Sequence, residues 1–437
     1  MADLARYAAE PHIPPMTAQT PSRGRHLVAG GWNMSAVGRW VAHLFAGPFE
    51  RVVERIDRGL VLGTIHAILP DGSQRTVGGR GEGPVARIHL HSWNALVRLA
   101  TAGSIGWYEA WVEGEWDSPD PVPIFDLFMR NAATLGDVGR AKGPWRLAGR
   151  ALNFLRKNSR AQARRNIAAH YDLGNDFYRQ WLDSTMSYSS ALWDGISADA
   201  PLAEAQANKV DRLGARLALT PRSEVLEIGC GWGFLARRLA ETTGARVTGI
   251  SLSDEQLEWA REALTSSGLG GIEYRHQDYR DVEGTFDAIA SVEMVEAVGR
   301  EYWPSYFDCL ARCLKPGGRA ALQYITIRDD LFDAYAASAD FIQAYVFPGG
   351  LLISEREFAR LAHERGLTWQ DRQDFGLDYA RTLKLWREAL DLAVVEGRLP
   401  AGFDERFVNL WRYYLMYCEG GFRGGGINVS QVTLVKQ

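Results

Sequence analysis

Cysteine is scarce in this chain: four residues in 437, Cys230, Cys309, Cys313 and Cys418, too few and too scattered for a disulfide framework. No apolar run approaches the ~18 residues that would cross a bilayer. The opening stretch MADLARYAAEPHIPP lacks the apolar core of a secretory signal, so the expectation is a cytoplasmic protein. Neither sign of charge dominates. The 49 Lys and Arg against 53 Asp and Glu leave a net charge of -4, which gives no overall attraction to nucleic acid. Metal-ligand spacing is missing as well. Cys309 and Cys313 share a helix stripe in FDCLARCLKPGG, but no second His or Cys pair accompanies them, so they read as buried small hydrophobes and no metal is expected.

What remains is an ordinary globular composition, 46% hydrophobic and 23% charged, long enough for two or three domains. Residues 1–33 carry Pro, Gly, Ser and Arg without periodicity and read as a flexible tail. Residues 34–135 read as a small α+β domain. It holds an amphipathic helix pair broken at Gly47-Pro48, a hairpin about Pro70-Asp71-Gly72, the strand VARIHLHSW and the helix ALVRLATAG. Residues 136–168 contain RAKGPWRLAGRALNFLRKNSRAQARR, rich in Arg and Lys without one acid. This segment reads either as a solvated linker helix or as a patch docking on an anionic membrane surface at about 140–165, each basic residue contributing about 1 kcal/mol. From 169 to 437 strands and helices alternate, which implies a parallel sheet covered on both faces, interrupted by an insertion at about 327–355.

The turn GCGWG at 229–233 lies between the apolar VLEI and the helical FLARRLAETTG. In a doubly wound sheet the ligand sits beyond the carboxyl ends of the strands, where a glycine turn admits close approach. The G-x-G-x-G spacing departs from the dinucleotide fingerprint, and no Lys-Ser or Lys-Thr follows as in a phosphate loop. S-adenosylmethionine carries no phosphate and suits such a turn. Glu227, at the end of the strand, is then expected near that ligand's ammonium. The second strand ends in Ser251-Leu252-Ser253-Asp254-Glu255-Gln256 instead of a ribose-binding acid. Asp254 is read as the N-cap of the next helix, leaving Gln256 as the ribose contact.

Several ordered stretches together resemble the cyclopropane-fatty-acyl-phospholipid synthases and their mycolic-acid relatives, over about residues 90–437. They are HYDLGNDFYRQWLDSTMSYSSALW, VLEIGCGWG, SLSDEQ, QDYRD, FPGGLLIS, DYARTLKLW and YLMYCEGGFRGGGINVSQV; GEWDSPD resembles the N-terminal domain of the phospholipid-acting members. The resemblance implies an α/β class I methyltransferase (Rossmann-like) doubly wound sheet with a smaller α+β N-terminal domain. It implies S-adenosylmethionine-dependent conversion of a cis double bond, in an unsaturated phospholipid acyl chain, to a cyclopropane ring. By position, Tyr188 and Ser189 match lid contacts to the cofactor, and Gly229, Gly231, Trp232 and Gly233 its glycine turn. Ser251, Leu252 and Gln256 match the ribose segment, Asp278 and Tyr279 the adenine contacts. Peripheral association with the inner membrane face and a homodimer are both compatible with it.

Methylating an isolated alkene leaves a carbocation that must lose a proton in a dry, apolar site, so a base has to stand beside the chain. The resemblance implies a bound bicarbonate in that role, caged by Ser190, Glu296, Gln323, Ile325 and Tyr379. The chain departs from the family at Ser190, where Cys is usual, at Gln323, where His is usual, and at Ala297, where a His commonly follows the glutamate. Gln donates to an anion but does not titrate near neutral pH. Cys418 matches a family cysteine once assigned to catalysis, although an inert buried thiol is the simpler reading. Two other outcomes stand beside the ring: the same cofactor and lipid giving a methyl-branched or methylene-bearing chain, and a non-catalytic lipid-binding protein on the same fold.

Overall fold

The computed structural model describes residues 23–28, 46–136 and 173–437. The basic segment therefore lies outside the described residues, as does most of the expected tail. Residues 23–28 are not free tail: Leu27 is buried, and Arg23 Nη1 donates to Asp176 Oδ2 at 2.8 Å. The expected break at Gly47-Pro48 is also corrected. One helix runs Ala46–Gly59, with Pro48 in its first turn, where the missing N–H costs nothing.

The N-terminal unit is a four-stranded sheet of β1 (Thr64–Ile68), β2 (Gln74–Gly78), β3 (Val85–Leu90) and β4 (Trp116–Asp117), in the order β2-β1-β3-β4. The hairpin between β1 and β2 forms as the Pro-Asp-Gly turn predicts, with Gly72 N donating to Leu69 O at 2.8 Å. β1 and β3 pair in parallel, and β4 closes antiparallel on β3. The helix expected at ALVRLATAG forms from Asn94 and breaks at Gly103, whose φ is 63°; a second helical run continues to Val112, and Val122–Arg130 follows.

The second unit is an eight-stranded sheet. Its strands are β5 (Glu224–Ile228), β6 (Arg246–Ser251), β7 (Ile272–His276), β8 (Phe286–Val292), β9 (Leu314–Ile327), β10 (Ile353–Ser354), β11 (Leu367–Asp374) and β12 (Ile427–Lys436). The main path runs β11-β12-β9-β8-β5-β6-β7, with β10 on β9. Pairings from β9 to β7 are parallel, while β12 inserts antiparallel between β9 and β11. This is the doubly wound class I methyltransferase sheet the sequence implies. Two long helices between β11 and β12, Gly376–Val395 and Glu405–Arg423, were not singled out by the alternating pattern. They carry a continuous apolar core into the N-terminal unit, where Tyr413 packs edge-on against Tyr108 and Phe125. Gly420 lets that contact close: a Cβ there would meet Val122 O and Asp126 N at 2.9 Å. Among the described residues, no helix is long and apolar enough to cross a membrane.

Candidate active site

The carboxyl ends of β5, β6 and β8, together with the 186–189 stretch, enclose a cavity of about 200 Å³. Tyr188, Ser189, Glu227, Gly229, Gly231, Trp232, Ser251, Leu252, Gln256, Asp278 and Tyr279 all line it. Gly233 does not. It caps the helix Phe234–Thr243 at φ 79°, and a side chain there would run into the Tyr274 hydroxyl and the Ala260 methyl, so its role is helix-on-strand packing. Gly231 is the opposite case. Its φ is 50°, and a Cβ would meet nothing nearer than Gln256 Nε2 at 4.0 Å, so the open side of this glycine is the cavity itself.

The helix after β6 is capped by Ser253, whose Oγ accepts from Gln256 N at 3.3 Å; Asp254 is its first residue and is exposed, which corrects the sequence reading. The Gln256 side chain is held by Ser251 Oγ, which donates to its Oε1 at 3.1 Å. Asp278 Oδ2 pairs with Arg280 at 2.6 Å. Glu227 is the informative group. Burial pushes its carboxyl up to about 8, and its Oε2 has no hydrogen-bond partner among the described residues. An unsatisfied buried carboxylate oxygen is costly unless a ligand donor reaches it. The ammonium of S-adenosylmethionine would supply that donor, and the phosphate-free turn fits its shape. The sequence reading missed Lys209. It is fully buried in this wall, its Nζ donates to Ser189 Oγ at 2.7 Å, and burial lowers its pKa to about 8 against the opposing charges of Glu293, Asp183 and Glu227.

A second cavity, of about 350 Å³ and largely apolar, lies between the helix Val122–Arg130, the 329–354 insertion and the two long C-terminal helices. Phe125, Phe128, Leu331, Phe347, Leu383 and Phe422 are among its walls. Tyr188, Glu293 and Ala297 line both cavities and mark where they meet.

At that junction four of the five cage positions bond to two side-chain carboxylates, Glu293 and the fifth position, Glu296. Ser190 N and Gln323 Nε2 each donate to Glu293 Oε1 at 2.9 Å, and Tyr379 Oη donates to Glu293 Oε2 at 2.7 Å. Ile325 N donates to Glu296 Oε1. The sequence reading placed an exchangeable bicarbonate on these donors; the structure holds Glu293 there instead. Ser190 serves through its backbone, its hydroxyl turned to Ala191 O at 2.9 Å, so the exchange of Cys for Ser leaves the donor in place. Gln323 is oriented by Gln431 on β12, whose Nε2 donates to its Oε1 at 3.1 Å, so its amide N–H faces Glu293. Glu293 itself has φ 52°, rare for a residue with a side chain, with its N–H on Gln323 O at 2.7 Å.

Burial raises the Glu293 pKa, and the Tyr379, Ser190 and Gln323 donors oppose that rise. Burial, and then the neighbouring Glu293 charge, push Glu296 up to about 8. Two adjacent buried carboxyls cannot both ionise cheaply. With three donors against one, Glu293 is the better placed of the two to carry a charge and Glu296 to keep a proton. Cys418 lines the apolar cavity, and burial drives its pKa upward, so it is a neutral thiol.

Comparison with known proteins shows the family. Residues 158–432 match the family described as mycolic acid cyclopropane synthetase. The tuberculostearic acid methyltransferase UfaA1 of Mycobacterium tuberculosis is 36% identical over 425 residues, covering 91% of this chain and 96% of that one. The cyclopropane-fatty-acyl-phospholipid synthase of Escherichia coli is 34% identical over 350 residues, covering 80% and 87%. The solved mycolic acid cyclopropane synthase CmaA1, complexed with SAH and CTAB, superposes with a TM-score of 0.59 at 31% identity, covering 62% of this chain and 98% of its own.

Gly231→Val should close the open side of the glycine turn, both by filling it and by straining a backbone held at φ 50°. Calorimetric titration should then show S-adenosylmethionine binding lost while the far-ultraviolet circular dichroism stays native. Binding at wild-type affinity would remove the turn from the site.

Proposed function

The chain belongs to the mycolic acid cyclopropane synthetase family, and from that premise we propose that it methylates a double bond of an unsaturated phospholipid acyl chain with the Glu293 carboxylate as base. The observation that carries this is the convergence of Ser190 N, Gln323 Nε2 and Tyr379 Oη on that carboxylate where the two cavities meet. S-adenosylmethionine, held by the glycine turn, Glu227 and Gln256, supplies an electrophilic methyl group. The apolar cavity takes the acyl chain and excludes water, so the cation left on the chain survives until a proton leaves it. Glu293 accepts that proton, and its donors fix the carboxylate oxygens beside the chain. Tyr188 spans the junction, its hydroxyl 2.9 Å from that of Tyr414.

Two products differ only in where the cation rests when the proton departs. Loss from the new methyl group, with the cation on the neighbouring carbon, closes a cyclopropane ring. After a hydride shift onto that neighbour, the same loss leaves an exocyclic methylene. The match to a methyltransferase named for tuberculostearic acid, a methyl-branched acid, favours the open-chain product, and so do the departures at Gln323 and Ala297. The E. coli relative favours the ring. A saturated branch would further need two electrons and two protons, a hydride from a separate reductase and a proton from solvent. Lipids from a host expressing the chain would gain 14 mass units (one CH₂) for ring or methylene. A vinylidene proton resonance then identifies the methylene, and a high-field ring resonance the cyclopropane. No mass gain would contradict the reading.

Glu293→Gln keeps the size and removes the base, so turnover should fall by roughly 10²–10⁴-fold with cofactor affinity retained. Glu293→Gly empties the cage at a backbone angle glycine adopts freely, and added bicarbonate or formate should restore part of the rate. A Glu293→Gln enzyme at the wild-type rate would exclude Glu293 as base.

Only ionised Glu293 accepts a proton, so turnover should fall as pH drops through its raised pKa. Tyr379→Phe deletes a donor that favours the charged form, raising that pKa further. The acid limb of the pH–rate profile should move to higher pH. A limb that stays or moves down would contradict the assignment.

The basic segment is proposed to bring the enzyme to its lipid. Replacing Arg146, Arg150, Arg156 and Lys157 with Gln should weaken sedimentation with anionic vesicles and leave cofactor affinity unchanged. Wild-type binding should fade with added salt. Vesicle binding indifferent to both would make the segment a linker.

A further inference from the structure

Away from both cavities, the outer face of the N-terminal sheet gathers three metal-ligating side chains. His89 and His91 are two apart on and just beyond β3, so both project from the same face. The β3–β4 register sets Asp117 directly opposite His89. His91 Nε2 lies 2.6 Å from Asp117 Oδ2, and the two imidazole centroids are 4.0 Å apart. One ligand atom from each of His89, His91 and Asp117 falls within 4.8 Å of the other two.

We propose that His89, His91 and Asp117 bind a divalent transition-metal ion of the zinc class. Two imidazoles and one carboxylate select a borderline ion over magnesium or calcium, which prefer all-oxygen shells. A ligand set of three leaves the remaining coordination positions to water, and the partly exposed location gives the ion a direct route in. The β3–β4 pairing holds His89 and Asp117 in register, and the ligand atoms of all three residues already lie within 4.8 Å of one another. The ion would also have a structural effect. β4 is only two residues long, and its Trp116 stacks on Trp107 at 4.4 Å, so a metal bridging His91 and Asp117 would pin this short strand to β3. The His-x-His pair alone is a weak signal in the sequence, and its carboxylate arrives only through strand pairing.

The test uses the full chain without a polyhistidine tag, stripped with chelator and titrated with zinc chloride in a calorimeter, with bound metal counted by plasma mass spectrometry after desalting. The proposal expects about one zinc per chain at this site, no response to magnesium or calcium, and a thermal midpoint raised by zinc. His89→Ala, His91→Ala and Asp117→Asn should each weaken that binding by more than the roughly 10–100-fold typical of losing an outer-shell partner. Each should also abolish the zinc-induced rise in midpoint, while S-adenosylmethionine affinity, unchanged, shows that the variants are folded. Equal zinc stoichiometry and affinity in wild type and all three variants would overturn the proposal, as would a wild type that binds no zinc.

Discussion

A carboxylate drawn away from bulk water keeps its charge only where donors take the place of the water, and Glu293, where the two cavities meet, has such donors from three separate parts of the chain. Ser190 belongs to the stretch beside the cofactor cavity, Gln323 to β9 and Tyr379 to the helix that follows β11. Each requires another contact to point correctly. Gln323 faces Glu293 because Gln431, its cross-strand partner on β12, fixes its amide. Ser190 presents its N–H because its hydroxyl is spent on Ala191 O. The antiparallel β12 and the two C-terminal helices therefore do more than complete the sheet: they aim the groups that keep one buried charge tolerable.

The remaining ionisable groups are organised around that charge. Glu296, bonded to Ile325 N, is pushed up to about 8 and keeps its proton, which avoids a second adjacent negative charge. Lys209, lowered to about 8 by burial, faces Glu293 and Glu227 and offsets part of their charge on the cofactor side. One face of the junction is thus polar and nearly neutral in sum, while the other opens on an apolar cavity. That contrast suits chemistry in which a cation forms on a hydrocarbon and must lose a proton without meeting water.

The cofactor half was largely legible, because a glycine turn after a strand and the SLSDEQ run are local features with one backbone solution. Gly231 and Gln256 both line the cavity beyond the strand ends. Gly233 and Asp254 show the limit of such local reading. One glycine packs a helix and the other opens a cavity, and Ser253 caps the helix before Asp254 can; both depend on tertiary neighbours or one dihedral angle. Glu293 was missed for a similar reason. SVEMVEAV offers two acids, and motif position pointed to Glu296. Which carboxylate enters the cage is decided by the left-handed backbone at residue 293, which no periodicity encodes. The departure from His at position 323 was visible in the sequence. Its meaning becomes clear only with Glu293 in place: an amide suffices where the anion is covalently supplied and needs donors but no titrating partner.

The central claim is that this carboxylate replaces an exchangeable anion as the base. Steady-state turnover of the wild-type enzyme, in buffer freed of carbon dioxide and then supplemented with bicarbonate, tests it most directly. The account predicts one rate across the whole series, because the base belongs to the chain. A rate that collapses in bicarbonate-free buffer and returns on addition would contradict it.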